Sequence, residues 1–445
     1  MKYISEPGKK LPVFGHFDVV VAGGGPSGVA AAVSAARNGA KVLLLEQTGA
    51  LGGMSTNGLV PCYAPFAQWG NTAIRGIGYE IVKKLEKMGG STDKIQWPSI
   101  DPEKLKFLLD ELVVKSGTKI LFFTFVSGVI KKGKKIQALI FENKSGRQAV
   151  TANTFIDATG DGDAAFKAGV PFVKGDRHGK MQGVSLEFMV AGIDMKAYDK
   201  WQKKFKNNTA KNILFKKAEK SGQLRSFKDG EHRFMADIIH SDSVRGYNYG
   251  HIFRVDGTKT QDLTRAMIRG RQLAASFIKY TKKNIPGMKN AMLVATGALP
   301  GVRETRRFKG AYRLTLEDFA SIRQFKDQIA VYDYPVDVHG SSKSGKAEEA
   351  SVLTMRKYVL PQGKNYGIPF SSMKPAGCEN LLLTGRHISV DRMAHGSTRV
   401  MPACMAIGEA AGLAAAMAAK ENITVSKIDT DELRKRLVRQ GGKVQ

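Results

Sequence analysis

Gly23-Gly24-Gly25-Pro26-Ser27-Gly28 fits the pattern G-x-G-x-x-G and lies between segments of different periodicity. Before it, His16–Ala22 is a short apolar run centred on Val19, Val20 and Val21. After it, Val29–Asn38 is Ala-rich, and Gly39 stands where a helix-ending glycine belongs. Lys41–Glu46 is a second apolar run. A strand–turn–helix–strand unit of this kind needs a crossover, which implies a parallel sheet. In such a unit Gly23 permits the tight turn, Gly25 lets the backbone approach a pyrophosphate, and Gly28 lets the helix pack closely on the sheet. Pro26 and Ser27 open the helix, whose N-terminal N–H groups and positive dipole end face the phosphates. Glu46 follows Gly28 by 18 residues, close to the spacing of an acid that binds ribose hydroxyls. The unit predicts a dinucleotide site and leaves NAD and FAD both open.

The rest of the chain narrows the fold. Its 445 residues exceed one ordinary core, and 42% hydrophobic content is normal for a globular enzyme. Helices are expected over Ile74–Met88 and Pro102–Lys115, and a strand over Ile120–Thr124. Val126–Lys131, Lys135–Glu142 and Gln148–Thr151 read as a small antiparallel meander, with Lys132-Gly133 and Ser145-Gly146 as turns. Thr154–Ala158 reads as a separate buried strand that ends in Thr159-Gly160-Asp161-Gly162. From about Gly169 to Ser372 charge rises and periodicity is mixed, with one strong helix at Leu263–Thr281. Leu381–Thr384 and Met401–Lys420 then return to a buried strand and a long Ala-rich helix. The expected architecture is α/β: a doubly wound, Rossmann-like domain with a β-meander, discontinuous over 1–168 and 373–445. An α+β substrate or cap domain is inserted over 169–372.

The net charge of +29 would draw anionic partners: nucleic acid, anionic lipid, an acidic protein or an anionic substrate. The plainer reading is a Lys-rich solvated surface, densest over Lys196–Lys228. Cys62, Cys378 and Cys404 show neither CxxC nor metal spacing, so no metal site, iron–sulfur cluster or disulfide framework is expected. Cys62 and Cys404 read as small apolar core residues. The N-terminus lacks a leader-length apolar run and no uncharged apolar run reaches a membrane-spanning length. A cytoplasmic protein without a membrane span is therefore expected.

Leu51-Gly52-Gly53-Met54-Ser55-Thr56 closely follows the second strand, and Thr384-Gly385-Arg386 ends the last one. With these segments, and with GRHISVDRMAHGSTRVMPACMAIGEAAG at 385–412, the chain resembles FAD-dependent oxidoreductases related to the fumarate reductase and succinate dehydrogenase flavoproteins. GVRETRRFKGAYRLTLEDF at 301–319 and YGIPFSSMKP at 366–375 resemble the same bacterial branch. The resemblance implies FAD, with Gly23, Gly25, Pro26, Ser27 and Gly28 at its pyrophosphate and Glu46 at the adenosine ribose. Gly53, Met54, Ser55 and Thr56 would lie along pyrophosphate and flavin, and Val126 at the adenine. Thr159, Gly160 and Asp161 belong to the same implied site. Gly385 and Arg386 would lie near pyrophosphate and ribityl chain, and His395, Gly396, Ser397 and Thr398 near the flavin ring. Some relatives attach FAD through a histidine near the second Gly-rich loop; Gly52–Thr56 has none, so non-covalent FAD is expected.

Candidates for catalysis are His395, beside the implied flavin loop, and Arg303, as a contact for a substrate anion. Arg245, Tyr247, Tyr249 and His251 alternate, so one face of a strand would carry all four, suited to a sugar-like or carboxylate ligand. The alternatives are a solvated edge strand for these four, and an ion pair with Glu304 or Glu317 for Arg303. The expected function is hydride transfer between a small polar metabolite, anionic or sugar-like, and flavin N5. No second dinucleotide unit is present, so the electron partner would be oxygen, a quinone or a carrier protein. A basic flavoprotein acting on tRNA and a non-catalytic electron-transfer subunit are the alternatives; nucleic acid binding is not the leading expectation.

Overall fold

The computed structural model describes all residues except 1–3, 5–7, 9, 68–71, 93–94 and 343–349. The leader expectation for the N-terminus falls partly on the first of these, outside the described residues. The main sheet contains β1 (Val13–Ala22), β2 (Val42–Leu45), β3 (Lys119–Leu121), β4 (Phe125–Lys132), β5 (Lys135–Asn143) and β6 (Gly146–Asp157), in the order β3-β2-β1-β6-β5-β4. A late strand, Leu381–Leu383, also pairs with β6. β1 runs parallel to β2 and β6, with Val20 beside Leu43 and Phe155. Every residue of β2 and the last four of both β1 and β6 are buried, as strands covered on both faces must be.

Two expectations are corrected here. The meander's third strand and the buried strand Thr154–Ala158 are one element, β6, of 12 residues. Its first half pairs antiparallel with β5, its last residues pair parallel with Leu381–Leu383, and β1 lies along both halves. The continuous ladder keeps the strand unbroken through exposed Asn153. The strand expected over Ile120–Thr124 stops at Leu121 because the chain turns at Phe123, whose φ is 51°.

The helix α1 (Pro26–Arg37) crosses from β1 to β2 and packs against the helix Met401–Lys420. Their backbones nearly touch: a Cβ added at Gly408 would stand 2.1 Å from the Ser27 carbonyl oxygen, and one at Gly412 2.1 Å from that of Ala31. Met401–Lys420 is long and apolar enough to cross a membrane, which the sequence reading did not expect, and it is buried in this core. A helix enclosed on all sides needs no polar face.

A second core lies in the insertion. β8 (Phe188–Ala191), β9 (Gly230–Ile239), β10 (Arg245–Ile252) and β11 (Met292–Thr296) form an antiparallel sheet in the order β11-β8-β10-β9, covered by the helix Thr260–Asn284. The short strands β7 (Phe172–Lys174) and β12 (Arg306–Phe308) pair where the chain enters and leaves this unit. By core membership the second unit runs from Val184 to Val302, tighter than the composition shift implies. Buried residues from Phe308 to Met373, including the antiparallel pair β13 (Gln328–Tyr332) and β14 (Tyr366–Pro369), pack with the first core.

Candidate functional site

The parallel strands end at one edge of the sheet, and the loops that follow β1, β2, β6 and Leu381–Leu383 gather there. The strand order reverses between β1 and β6, and a crevice at such a switch point is the usual ligand site of an open α/β sheet. A long cleft occupies this position. It is lined by Gly23, Gly25, Pro26 and Ser27, by Glu46 and Val126, by Gly53 and Met54, by Thr159, Gly160 and Asp161, and by Gly385 and Arg386. The glycines have separate duties. Gly23 has φ of 100°, and a Cβ there would lie 2.5 Å from the Ala158 carbonyl oxygen; a Cβ at Gly28 would lie 1.8 Å from that of Gly23. A Cβ at Gly25 would meet nothing within 4 Å, so its side faces open space.

Two helices that start at this cleft lack the caps that six other helices carry. Asp101, Asp194, Asn207, Thr315, Asp391 and Asp429 cap the helices they precede with their own side chains. Neither α1 nor Met401–Lys420 has a side-chain cap or an acid in its first turn, although their first turns line the cleft. Uncapped N–H groups and the dipole leave both ends ready for an anion. Glu46 is buried and accepts from the Gly24 N–H at 2.6 Å and from the Thr48 N–H and hydroxyl at 2.8 and 2.7 Å. A carboxylate has about four lone-pair sites, so one acceptor position is left for a ribose hydroxyl. Arg386 donates to Asp161 Oδ1 at 2.7 Å, where Thr305 also donates at 2.6 Å, and keeps a buried Nε–H with no partner. These features fit a dinucleotide with a pyrophosphate against α1.

The inserted unit supplies an apolar wall, Leu263, Leu299, Pro300 and Val302. Its attachment is fixed by N–H bonds from Ala298 and Leu299 to the Asn57 carbonyl at 2.7 and 3.2 Å. At the inner end stands Arg399, which lines the cleft and donates to Asp337 Oδ2 at 2.9 Å. Arg303 is buried beside it and donates to the Gly183 carbonyl at 2.6 Å and the Ser185 hydroxyl at 2.9 Å. It pairs with neither Glu304 nor Glu317; Glu304 instead pairs with Arg307 and Arg392. Burial, with the Arg399 charge adding to it, pulls Arg303 down to about 10. Glu187, near Arg303, is pushed up to about 7 by burial, and its Oε2 has no hydrogen-bond partner. His251 and His339 follow behind, hydrogen-bonded to each other at 3.1 Å.

Other candidates lie elsewhere. His251 does not share the face of Arg245 and Tyr249. β10 is an inner strand, and its pairing with β9 slips on both sides of Tyr249, next to Gly250 with φ of 80°. Arg245 is held by Asp199 and Asp237 over the Tyr198 ring, and Tyr249 packs 4.4 Å from Phe277 between ring centroids. Both belong to the inserted core; His251 alone of the three turns toward the cleft's inner end. Ser55 and Thr56 bond back to the Gly52 and Leu51 carbonyls and hold the turn behind Gly53. His395, Gly396, Ser397 and Thr398 lie behind the wall formed by Arg399, Met401 and Cys404. Ser397 donates to the Tyr334 carbonyl at 2.6 Å, and a Cβ on Gly396 would press on the backbone of Asp337. His395 is fully enclosed; burial first, then Arg307, Arg399 and Arg386, hold its imidazole well below the usual range. Cys62 and Cys404 are buried, and burial pushes both thiols up to about 12.

Glu187, Asp337 and His339 escaped the sequence reading. The segment Gln328–His339 is buried throughout, and its acids and histidine carry no motif; an apolar run from Ile329 punctuated by Asp333, Asp337 and His339 was the available signal.

A family model described as FAD dependent oxidoreductase matches residues 18–437. Among curated proteins, dihydrolipoyl dehydrogenase of Trypanosoma brucei brucei is 33% identical over 105 residues, covering 20% of this chain and 22% of that protein. A tRNA uridine 5-carboxymethylaminomethyl modification enzyme of Dichelobacter nodosus is 30% identical over 166 residues, covering 32% and 24%. The chain thus spans about a quarter of the length of these curated relatives. Among solved structures, a geranylgeranyl bacteriochlorophyll reductase-like protein of Thermoplasma acidophilum is 13% identical, covering 96% of this chain and 85% of that one, with a TM-score of 0.49.

Proposed function

Because the chain belongs to the FAD dependent oxidoreductase family, we propose that this oxidoreductase exchanges a hydride between flavin N5 and a small polar metabolite, anionic or sugar-like. The observation that carries the reading is Arg399 at the inner end of a cleft walled by apolar residues of the inserted unit, with a second cation, Arg303, buried beside it. The likeness of 385–412 to the fumarate reductase branch supports it. FAD, when bound, supplies a two-electron donor and acceptor. The Ser27 and Gly28 amides at the uncapped start of α1, with Arg386, would hold the pyrophosphate, and Glu46 the adenosine ribose. Gly52–Thr56 offers no histidine for attachment, so FAD is held non-covalently. The uncapped start of Met401–Lys420 favours negative charge on a reduced flavin ring.

The protein's own part is then to bind, orient and keep dry. Leu263, Leu299, Pro300 and Val302 exclude water. Arg399 holds an anionic group of the substrate, and Arg303, locked to backbone and Ser185, fixes the field around it. His251 takes or gives the accompanying proton through its neighbours. His395 acts as a positioning residue behind the wall. The place of action is the cytoplasm. Anaerobic flavin bleaching with a panel of hydroxy acids, sugar acids and neutral sugars tests the reading. Bleaching by a member of these classes, lost at least tenfold in kcat/KM in Arg399→Met, is expected; no bleaching by any class would refute it.

A second reading, action on tRNA, is favoured by the +29 charge, by exposed Lys196, Lys200, Lys203, Lys204 and Lys206 on the inserted unit, and by the partial likeness to a tRNA-modifying enzyme. Filter binding of bulk tRNA at two salt concentrations separates the two: the first reading expects no retention at physiological salt.

A further inference from the structure

We propose that Glu231, His251, His339 and Asp337 form a buried chain that takes up one proton when an anion docks at Arg399. This deepens the anionic-substrate reading above and rests on it. The chain is continuous. Glu231 Oε1 lies 2.8 Å from His251 Nδ1, His251 Nε2 3.1 Å from His339 Nδ1, and His339 Nε2 3.3 Å from Asp337 Oδ1. Asp337 Oδ2 in turn accepts from Arg399, at the cleft. All four groups of the chain are buried.

Counting protons shows the deficit. The four groups leave three gaps, each of which needs one proton to become a hydrogen bond. Two neutral imidazoles carry one N–H each. Whichever tautomers they adopt, the three gaps share two protons, and at least one gap sets two acceptors against each other. A third proton completes the chain and places one net positive charge between two carboxylates.

The surroundings decide when that proton enters. His251 faces Glu231, Arg233, Arg303 and His339; His339 faces Arg303, Asp337 and His251, with Arg399 beyond Asp337 and Glu187 beyond Arg303. Burial is the largest influence on both imidazoles, and Arg303 adds to it; His251 is lowered to about 4 and His339 well below the usual range. Without a bound anion the chain is therefore short of its third proton at neutral pH. An anion at Arg399 offsets the cationic field that opposes imidazolium, and the proton follows from solvent. The step moves one proton and no electrons. In the direction of substrate reduction, the loaded chain then holds, next to the cleft, the proton that accompanies the hydride.

Titration calorimetry of the FAD-loaded protein with oxalate at pH 7, in two buffers of different ionisation enthalpy, reads the uptake without turnover. Close to one proton taken up per oxalate is expected, with oxalate affinity falling about tenfold per pH unit above neutrality, as linkage requires. His339→Gln should bind oxalate without uptake, whereas Glu187→Gln, which removes the other buried acceptor, should keep it. Oxalate binding without proton uptake in the parent protein, or uptake lost in Glu187→Gln and kept in His339→Gln, would overturn the chain while leaving the anion site standing. Failure of oxalate to bind would remove the anion site, and the proton coupling with it.

Discussion

An alanine at Gly25 would add a methyl group into open space at an ordinary φ of −68°, whereas one at Gly28 would collide with the Gly23 carbonyl. Gly25→Ala should thus leave the flavin-free unfolding free energy nearly unchanged, within about 0.5 kcal/mol, while weakening FAD binding at least tenfold by fluorescence titration. Gly28→Ala should destabilise the fold by roughly 1–3 kcal/mol. Equal losses of stability in both would mean that Gly25 serves packing and not a ligand. The glycine roles were legible in sequence because each rests on backbone geometry that only glycine supplies. Glu409 was not legible. It lies in an apolar helix, buried at 4% exposure, and accepts from the Ile77 N–H at 2.9 Å. Burial pushes it up to about 7 from an ordinary 4.5, so the folded state binds the extra proton between these values. Stability should fall as pH rises from about 4.5 to about 7 and then level off. Glu409→Gln should remove that slope, by an amount on the order of 3 kcal/mol, in denaturant midpoints measured from pH 4 to 8. An unchanged slope would show that the carboxyl ionises freely in the fold.

At the scale of elements, α1 and Met401–Lys420 show how two ends of a chain become one domain. Gly408 and Gly412 bring the second helix against the Ser27 and Ala31 carbonyls, and the Ser34 hydroxyl donates to the Glu409 carbonyl at 2.8 Å. The same contact places the start of Met401–Lys420 beside the start of α1 at the cleft. Gly412→Leu should therefore cost about 3 kcal/mol or more and lower FAD affinity as well, although residue 412 is remote from the cleft lining. Loss of stability with unchanged FAD affinity would uncouple the two. The Ala-rich composition announced this helix, but not that its glycines form its contact face, since that depends on a partner 370 or more positions away. β10 shows the opposite failure. Strict alternation assumes an unbroken ladder; with Arg245 and Tyr249 in a core, the slips around Tyr249 turn His251 toward the site.

For the whole molecule, the doubly wound sheet was legible because a parallel sheet and its crossover follow from local patterns at both ends of the chain. The inserted unit was announced by its composition alone, and its internal packing was not legible, because its core is an aromatic cluster formed by long-range contacts among Phe188, Phe215, Tyr247, Tyr249 and Phe277. Its expected outer limit followed the rise in charge over 169–372, within which the uncharged strands β13 and β14 pack on the first core. The expected site residues around the glycine loops follow local motifs; the buried acids and histidines behind Arg399 come from separate segments and share no pattern. Hydride transfer at this site requires, first of all, non-covalent FAD in the cleft that these segments build. The visible spectrum of the purified protein, before and after acid precipitation, tests this most directly. A yellow protein that releases its flavin to the supernatant is the predicted result. A colourless protein that also fails to take up added FAD, or flavin retained in the pellet, would contradict it.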